Sequence, residues 1–251
     1  MKVIILAAGI GKRLDIDEED KPPKCLLKVK NNESVLGLTL KNILLNEIEK
    51  IVIVTGFKHA LVEEYVLSQH FDNADKFEFV FNPAFNETII HSVKHGFSNI
   101  CKEKDRHVLL INGDTLFSKH TFKKAFEICR RNDSSITIFG CVTHDIHQDD
   151  VKLLTHNNLI DQVGKNIEIA NSVSSGAILF CNAGLDKYLE TLESGLINNF
   201  RTHHQIIEFI RQTGYKVYFN DNGVRDWLEI DTKENLLFAT LSPLLDYSDN
   251  F

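Results

Sequence analysis

Ile4-Ile5-Leu6-Ala7-Ala8-Gly9-Ile10-Gly11-Lys12-Arg13-Leu14 opens as a buried strand, narrows to small residues and ends on a basic pair. The apolar run has the density of a strand covered on both faces. Two glycines let the backbone turn and approach a ligand closely, and successive N–H groups in such a loop can hold phosphate oxygens. A dinucleotide fingerprint needs a third glycine where Leu14 stands, and no Gly-Lys-Ser/Thr follows, so neither common phosphate loop is spelled out. Alone, the segment also admits the plainer reading of a glycine-rich turn with solvated cations.

Outward from this stretch the strand signature repeats. Runs at 2–7, 51–55, 77–81, 107–111 and 135–140 alternate with helically spaced segments at 35–46, 58–69, 88–100 and 119–131. That rhythm predicts βαβ units, hence an α/β fold with a Rossmann-like, mostly parallel sheet flanked by helices. Ligands then belong at the carboxyl ends of the strands. After about residue 141 the beat breaks. Short strands are expected at 151–155, 159–163, 167–170 and 177–181, helices at 183–192 and 203–212, a strand at 215–220 and a last helix from Lys233. The expected organisation is one domain over 1–251, with a core of about 1–140 and 223–251 and a small subdomain of about 141–222.

The 251 residues carry 28 Lys and Arg against 35 Asp and Glu, a formal net charge of −7. This acidity argues against a nucleic-acid partner, which needs clustered cations. Hydrophobic residues at 43% and charged residues at 25% suit a packed core. No apolar run is long enough for a bilayer, and the strand follows Lys2 at once, so neither a membrane partner nor a leader is expected. Five cysteines without CxxC spacing read as reduced thiols, which makes a cytoplasmic setting the expectation. No interface stripe marks an oligomeric state.

Lys21-Pro22-Pro23-Lys24-Cys25-Leu26-Leu27 places a lysine behind two prolines. Together, Leu6-Ala7-Ala8-Gly9-x-Gly11-x-Arg13-Leu14 and Pro23-Lys24-x-Leu26 resemble the opening of the nucleoside-triphosphate transferase family. That family includes sugar-1-phosphate nucleotidylyltransferases and the phosphocholine and phosphonate cytidylyltransferases. Val54-Thr55-Gly56-Phe57, Phe81-Asn82-Pro83, Asn112-Gly113-Asp114-Thr115 and Trp227-Leu228-Glu229-Ile230-Asp231-Thr232 extend the resemblance along most of the chain. It departs between Arg13 and Lys24, where ten residues stand against the commoner nine and Asp15, Asp17, Glu18, Glu19 and Asp20 are crowded together.

The resemblance implies a Mg²⁺-dependent nucleotidyltransferase whose core binds a nucleoside triphosphate and whose subdomain binds a small anionic acceptor. Lys24 would serve the α-phosphate and Arg13 the β- and γ-phosphates, as the catalytic pair. Leu6, Ala7, Ala8, Gly9, Gly11, Asn86, Ser92 and Asp114 would join them around the nucleotide. Asp114 and Asp231 would hold Mg²⁺, and Lys165, Ser175, Gly176 and Trp227 would border the acceptor. CTP is the favoured donor, since the Lys21–Leu27 and Trp227–Thr232 stretches look most like the cytidylyltransferases. A sugar-1-phosphate enzyme using UTP, GTP or dTTP is the alternative. An inactive nucleotide-binding regulator is the alternative of another class, against which intact Arg13, Lys24, Asp114 and Asp231 argue.

Blander readings accompany several of these residues. Asp114 suits a turn, and Asp231 or Thr232 suits the cap of the last helix. Asn86 also reads as an N-cap, Lys165 as an exposed hairpin lysine and Trp227 as core. His91 and His95 have zinc-pair spacing without a third ligand, and His203 and His204 read as helix-surface residues. Cys25 beside Lys24 is expected to feel a lowered thiol pKa, yet no base accompanies it.

Overall fold

The apolar runs that open the chain become the middle of one sheet. β1 (Lys2–Leu6) pairs in parallel with β2 (Lys50–Thr55) and β4 (His107–Asn112), and β2 pairs in parallel with β3 (Phe77–Phe81). The computed structural model describes residues 1–14, 21–98, 100, 106–131, 135–223 and 226–241. The acidic run of Asp15, Asp17, Glu18, Glu19 and Asp20 lies outside these residues.

Strand alternation sends Ile4 and Leu6 to one face of the sheet and Val3 and Ile5 to the other. The first face is covered by α3 (Ile89–Ser98), α5 (Ala183–Glu193) and α6 (His203–Gln212). The second is covered by α1 (Val35–Leu44), α2 (His59–Gln69) and α4 (Lys119–Arg130). Side-chain caps fix where helices begin. Ser34 Oγ accepts from Gly37 N–H (2.9 Å) at the start of α1, and Thr202 with Gln205 forms a reciprocal capping box at α6.

The second half of the chain continues the same sheet. β9 (Ser172–Cys181) lies antiparallel between β4 and β6 (Ile136–Val142), and β10 (Val217–Asp221) lies parallel to β6. The hairpin of β7 (Lys152–His156) and β8 (Leu159–Gly164) completes the order β3-β2-β1-β4-β9-β6-β10-β8-β7. β7 also returns to pair with the first residues of β9, so β9, β6, β10, β8 and β7 close a ring. Gly176 stands where β9 passes from β7 to β4. Its φ of +80° suits glycine, and a Cβ there would sit 2.6 Å from Asn112 Nδ2.

Three features differ from the sequence expectation. Residues 167–170 form no strand; Asn171 instead donates through Nδ2 to Thr155 O (2.8 Å) and accepts from Thr155 N–H (2.9 Å). β9 begins at Ser172 rather than at residue 177. Two short strands are additional: β5 (Thr115–Phe117) and β11 (Trp227–Glu229) pair antiparallel, with Glu229 opposite Thr115. Ile230 N–H then donates to Asp114 O (2.9 Å), which ties the C-terminal segment and α7 (Lys233–Leu241) to the end of β4. Among the described residues no helix is long and apolar enough to cross a membrane.

Candidate active site

β1 and β4 end side by side, and small residues follow both. Ala7 N–H donates to Val54 O (2.9 Å), Gly113 N–H to Leu6 O (2.9 Å) and Phe57 N–H to Ala8 O (3.2 Å), so the strand ends are laced together. Over them opens a cleft of about 270 Å³ whose floor includes Leu6, Ala7, Ala8 and Gly9. Its walls bring Arg13 and Lys24 together with Ser92, Asp114 and Asp231. Ser92 is held on the first turns of α3 by Asn82, whose Nδ2 donates to Ser92 Oγ (2.8 Å).

Lys24 is the electrostatic centre. It starts a 3₁₀ turn behind Pro22 and Pro23, and its side chain is nearly buried. Its ammonium donates to Asp114 Oδ2 at 2.5 Å and to Asp231 Oδ1. Burial alone would lower its pKa, but the two carboxylates outweigh that and hold it above the ordinary lysine value. Arg13 Nη2 pairs with the other oxygen of Asp231 (2.6 Å), and Nη1 reaches Asp149 (3.6 Å). Residues from the N-terminal loop, the end of β4 and the segment after β11 thus form one charge cluster.

Glu229 belongs to that cluster and was not singled out from the sequence. The carboxylates of Asp114, Glu229 and Asp231 lie within 4.8 Å of one another. Partial removal from water, then the charges of Asp114 and Asp231, push the Glu229 carboxyl up to about 7. Three hard oxygen donors this close suit a divalent cation such as Mg²⁺. The signal was available: Glu229 and Asp231 are two apart in an extended segment, so they share a face.

Lys21 is a second residue that the sequence reading left without a task. It is 2% exposed, and its ammonium donates to Gly11 O, while Lys58 Nζ donates to Lys21 O (2.9 Å). These bonds brace the glycine loop from behind. Gly11 itself takes φ +69° at the turn and does not line the cleft.

Other expected residues fall in different places. Asn86 is on an exposed turn outside the cleft; its neighbours Phe85, Glu87 and Thr88 face inward instead, and the Thr88 hydroxyl accepts from Ile90 N–H (3.1 Å) at the head of α3. The N-cap reading of Asn86 therefore passes to Thr88. Cys25 lines the cleft, but burial and then the charge of Asp114 push its thiol up to about 12, opposite to the lowering expected from Lys24. His91 pairs with Glu87 (3.1 Å).

A second cleft of about 360 Å³ adjoins the first and shares Arg13, Asn112, Glu229 and Asp231 with it. Lys165, Gly176 and Trp227 line it, together with Asp149, Ser174 and His204. Ser175 does not: its side chain turns inward and donates to Phe139 O (2.8 Å), because consecutive residues of β9 face opposite ways. Ser174 takes the cleft position and hydrogen-bonds His204 Nε2 (2.9 Å). His203 and His204, read as surface residues, are both buried on α6. Burial pushes His203 down to about 4, and burial followed by the nearby His203 and Lys165 keeps His204 neutral at ordinary pH. Asn112 Oδ1, at the junction of the clefts, is buried without a hydrogen-bond partner among the described residues.

The family model described as the MobA-like NTP transferase domain matches residues 3–169. Solved structures share the fold across nearly the whole chain. An inositol-1-phosphate CTP transferase from T. maritima superposes with a TM-score of 0.78 at 22% identity, covering 99% of this chain and 98% of that one. A CTP:phosphocholine cytidylyltransferase from Streptococcus pneumoniae gives 0.75 at 18% identity, covering 96% and 97%. A provisionally named glucose-1-phosphate thymidylyltransferase from Bacillus anthracis gives 0.79 at 18%, covering 100% and 96%. No curated protein matches the chain by sequence.

Proposed function

The chain belongs to the MobA-like NTP transferase domain family and is a nucleotidyltransferase; we propose that it transfers CMP from CTP to a small phosphorylated or phosphonate acceptor, with release of pyrophosphate. The observation that carries this reading is Lys24, set between Asp114 and Asp231 at the ends of β1 and β4. In the proposed step an acceptor oxygen bonds to the α-phosphorus while the bond from α-phosphorus to the bridging oxygen of pyrophosphate breaks. Both reactants are anionic, so the protein's task is to align them and to offset charge as it develops.

Lys24 would leave its carboxylate partners for the α-phosphate, where its fixed ammonium stabilises the crowded negative charge more in the transition state than in the ground state. Arg13 would do the same for the departing β- and γ-phosphates. The backbone of Ala7, Ala8 and Gly9 presents a small-residue floor on which the nucleotide can lie. Asp114, Asp231 and Glu229 would hold Mg²⁺, whose chemistry when bound is to neutralise phosphate oxygens and fix their orientation. On the acceptor side Lys165 would meet the acceptor's anionic group, with Gly176 and Trp227 shaping the wall. Ser175 supports that wall from inside β9 rather than touching the acceptor.

CTP is favoured because the Lys21–Leu27 stretch is most similar to cytidylyltransferases, and because two of the structures with this fold carry CTP in their names. The thymidylyltransferase of the same fold keeps a sugar-1-phosphate reading as the alternative. Pyrophosphate release should be measured with CTP, UTP, GTP, ATP and dTTP against phosphocholine, 2-aminoethylphosphonate, inositol-1-phosphate and hexose-1-phosphates. Fastest release with CTP and a small non-hexose acceptor is expected. Preference for UTP or dTTP with a hexose-1-phosphate would replace the CTP reading with the alternative.

A further inference from the structure

At the ends of the central strands β4 and β9 away from the cleft, three side chains of metal-ligating type converge. His107 begins β4 and Cys181 ends β9, and the two are direct cross-strand partners. Directly opposed residues on an antiparallel pair bring their side chains together on one face. Here that face is the one carrying Leu109, Ile111 and Leu179, which α4 covers. Cys129, near the end of α4, closes the group from above. One ligand atom from each of His107, Cys129 and Cys181 lies within 4.8 Å of the other two. The two thiols hydrogen-bond each other, and Met1 Sδ is 3.6 Å from Cys129 Sγ. Neither cysteine is in a disulfide.

From this geometry we infer that His107, Cys129 and Cys181 form a binding site for a thiophilic d¹⁰ cation, Zn²⁺ in the first instance, with the fourth position left to water or to Met1 Sδ. Tetrahedral zinc binds sulfur at about 2.3 Å and imidazole nitrogen at about 2.0–2.1 Å, which sets its ligands roughly 3.5 Å apart. The three ligand atoms, within 4.8 Å of one another, must draw together to reach that. Two thiolates and an imidazole are a soft donor set, unlike the all-carboxylate cluster of Asp114, Glu229 and Asp231, so the two sites select different metals. Cys129 and His107 are only partly buried, which leaves an entry path, whereas Cys181 is fully enclosed. His107 and Asn112 stand at opposite ends of β4, about 16 Å apart at ~3.3 Å per residue. A cation here would pin α4 to β4 and β9 without touching the substrates.

The test is a Co²⁺ titration of the reduced, chelator-stripped full chain, with Co²⁺ as the spectroscopic stand-in for Zn²⁺. One equivalent should bring up a near-ultraviolet thiolate-to-cobalt band, which excess Zn²⁺ should abolish. The band should survive in Asp114→Asn, because carboxylates give no such transition. It should vanish in Cys129→Ser, while circular dichroism reports an intact fold. His107→Gln, a second and independent probe, should weaken Co²⁺ binding at least tenfold. Absence of the band in the folded native chain, its persistence in Cys129→Ser, or formation of a Cys129–Cys181 disulfide in place of metal uptake would overturn the assignment.

Discussion

The two adjoining clefts are built in different ways. The first is made from strand ends and loops of both halves of the chain, and its cations are paired: Lys24 with Asp114 and Asp231, and Arg13 with Asp231. The second is walled in part by the ring of strands and shares Arg13, Glu229 and Asp231 with the first; its own charged groups are Lys165, Asp149 and Asp150, with the buried His204 beside them. A cleft whose charges are paired and partly buried loses much when one partner goes, because an unpaired charge remains. Lys165 in the second cleft is exposed, so its loss costs binding and little else. On the proposed function, substitutions in the first cleft should therefore act on turnover and those in the second on acceptor affinity.

Lys24→Ala should break the comparison most visibly. Loss of one preorganised donor costs roughly 2–4 kcal/mol of barrier in other enzymes, so kcat should fall by about 30-fold to 1,000-fold with a smaller change in the KM for nucleotide. A steady-state pyrophosphate assay reads both quantities. Next in size is the pH response of the carboxylate cluster. Glu229 titrates near 7 in the fold against an ordinary 4.5, so the folded state holds its proton more tightly. The stability this contributes is present below pH 4.5 and is lost as pH rises through about 7. In the ligand-free protein, Glu229→Gln should therefore flatten the decline of Tm over that interval, while divalent-cation affinity of the native chain should rise with pH through it.

Lys165→Ala should raise the acceptor KM by about tenfold, the scale of one charge-assisted hydrogen bond, while nucleotide Kd by calorimetry stays close to native. The smallest effect belongs to Lys12→Ala. Lys12 neighbours Arg13 but is absent from both cleft walls, and its removal should leave kcat within about twofold. Equal losses at Lys12 and Lys24 would mean that the loop acts only as a diffuse positive patch.

How far the sequence could be read follows the same division. The parallel strands and the residues after β1 and β4 were legible because buried strands are continuously apolar and the loop is spelled in consecutive residues. The pairing of β5 with β11 was not: each spans three residues, too short for alternation to register, and the partners are far apart in sequence. That pairing sets Glu229 opposite Thr115 and so beside Asp114, whereas the sequence offered only its two-residue spacing from Asp231. The choice of Ser175 rests on the resemblance of Ser175-Gly176-Ala177 to the family's acceptor-side stretch; with β9 begun at Ser172, alternation puts Ser174 and Gly176 on the cleft face. The burial of His203 and His204 depends on how α6 packs against the ring, which neither residue's neighbours in sequence disclose.

On the proposed function, nucleotidyl transfer takes place where Lys24, Asp114 and Asp231 meet. Its most direct test is the rate of pyrophosphate release by Asp114→Asn at ordinary Mg²⁺, measured beside the ligand-free Tm. The substitution keeps the side chain's shape and removes one charge from a crowded carboxylate group. Turnover should drop by orders of magnitude while Tm changes little, because Lys24 keeps Asp231 as its partner and repulsion on Glu229 is relieved. Near-native turnover in Asp114→Asn would contradict the account.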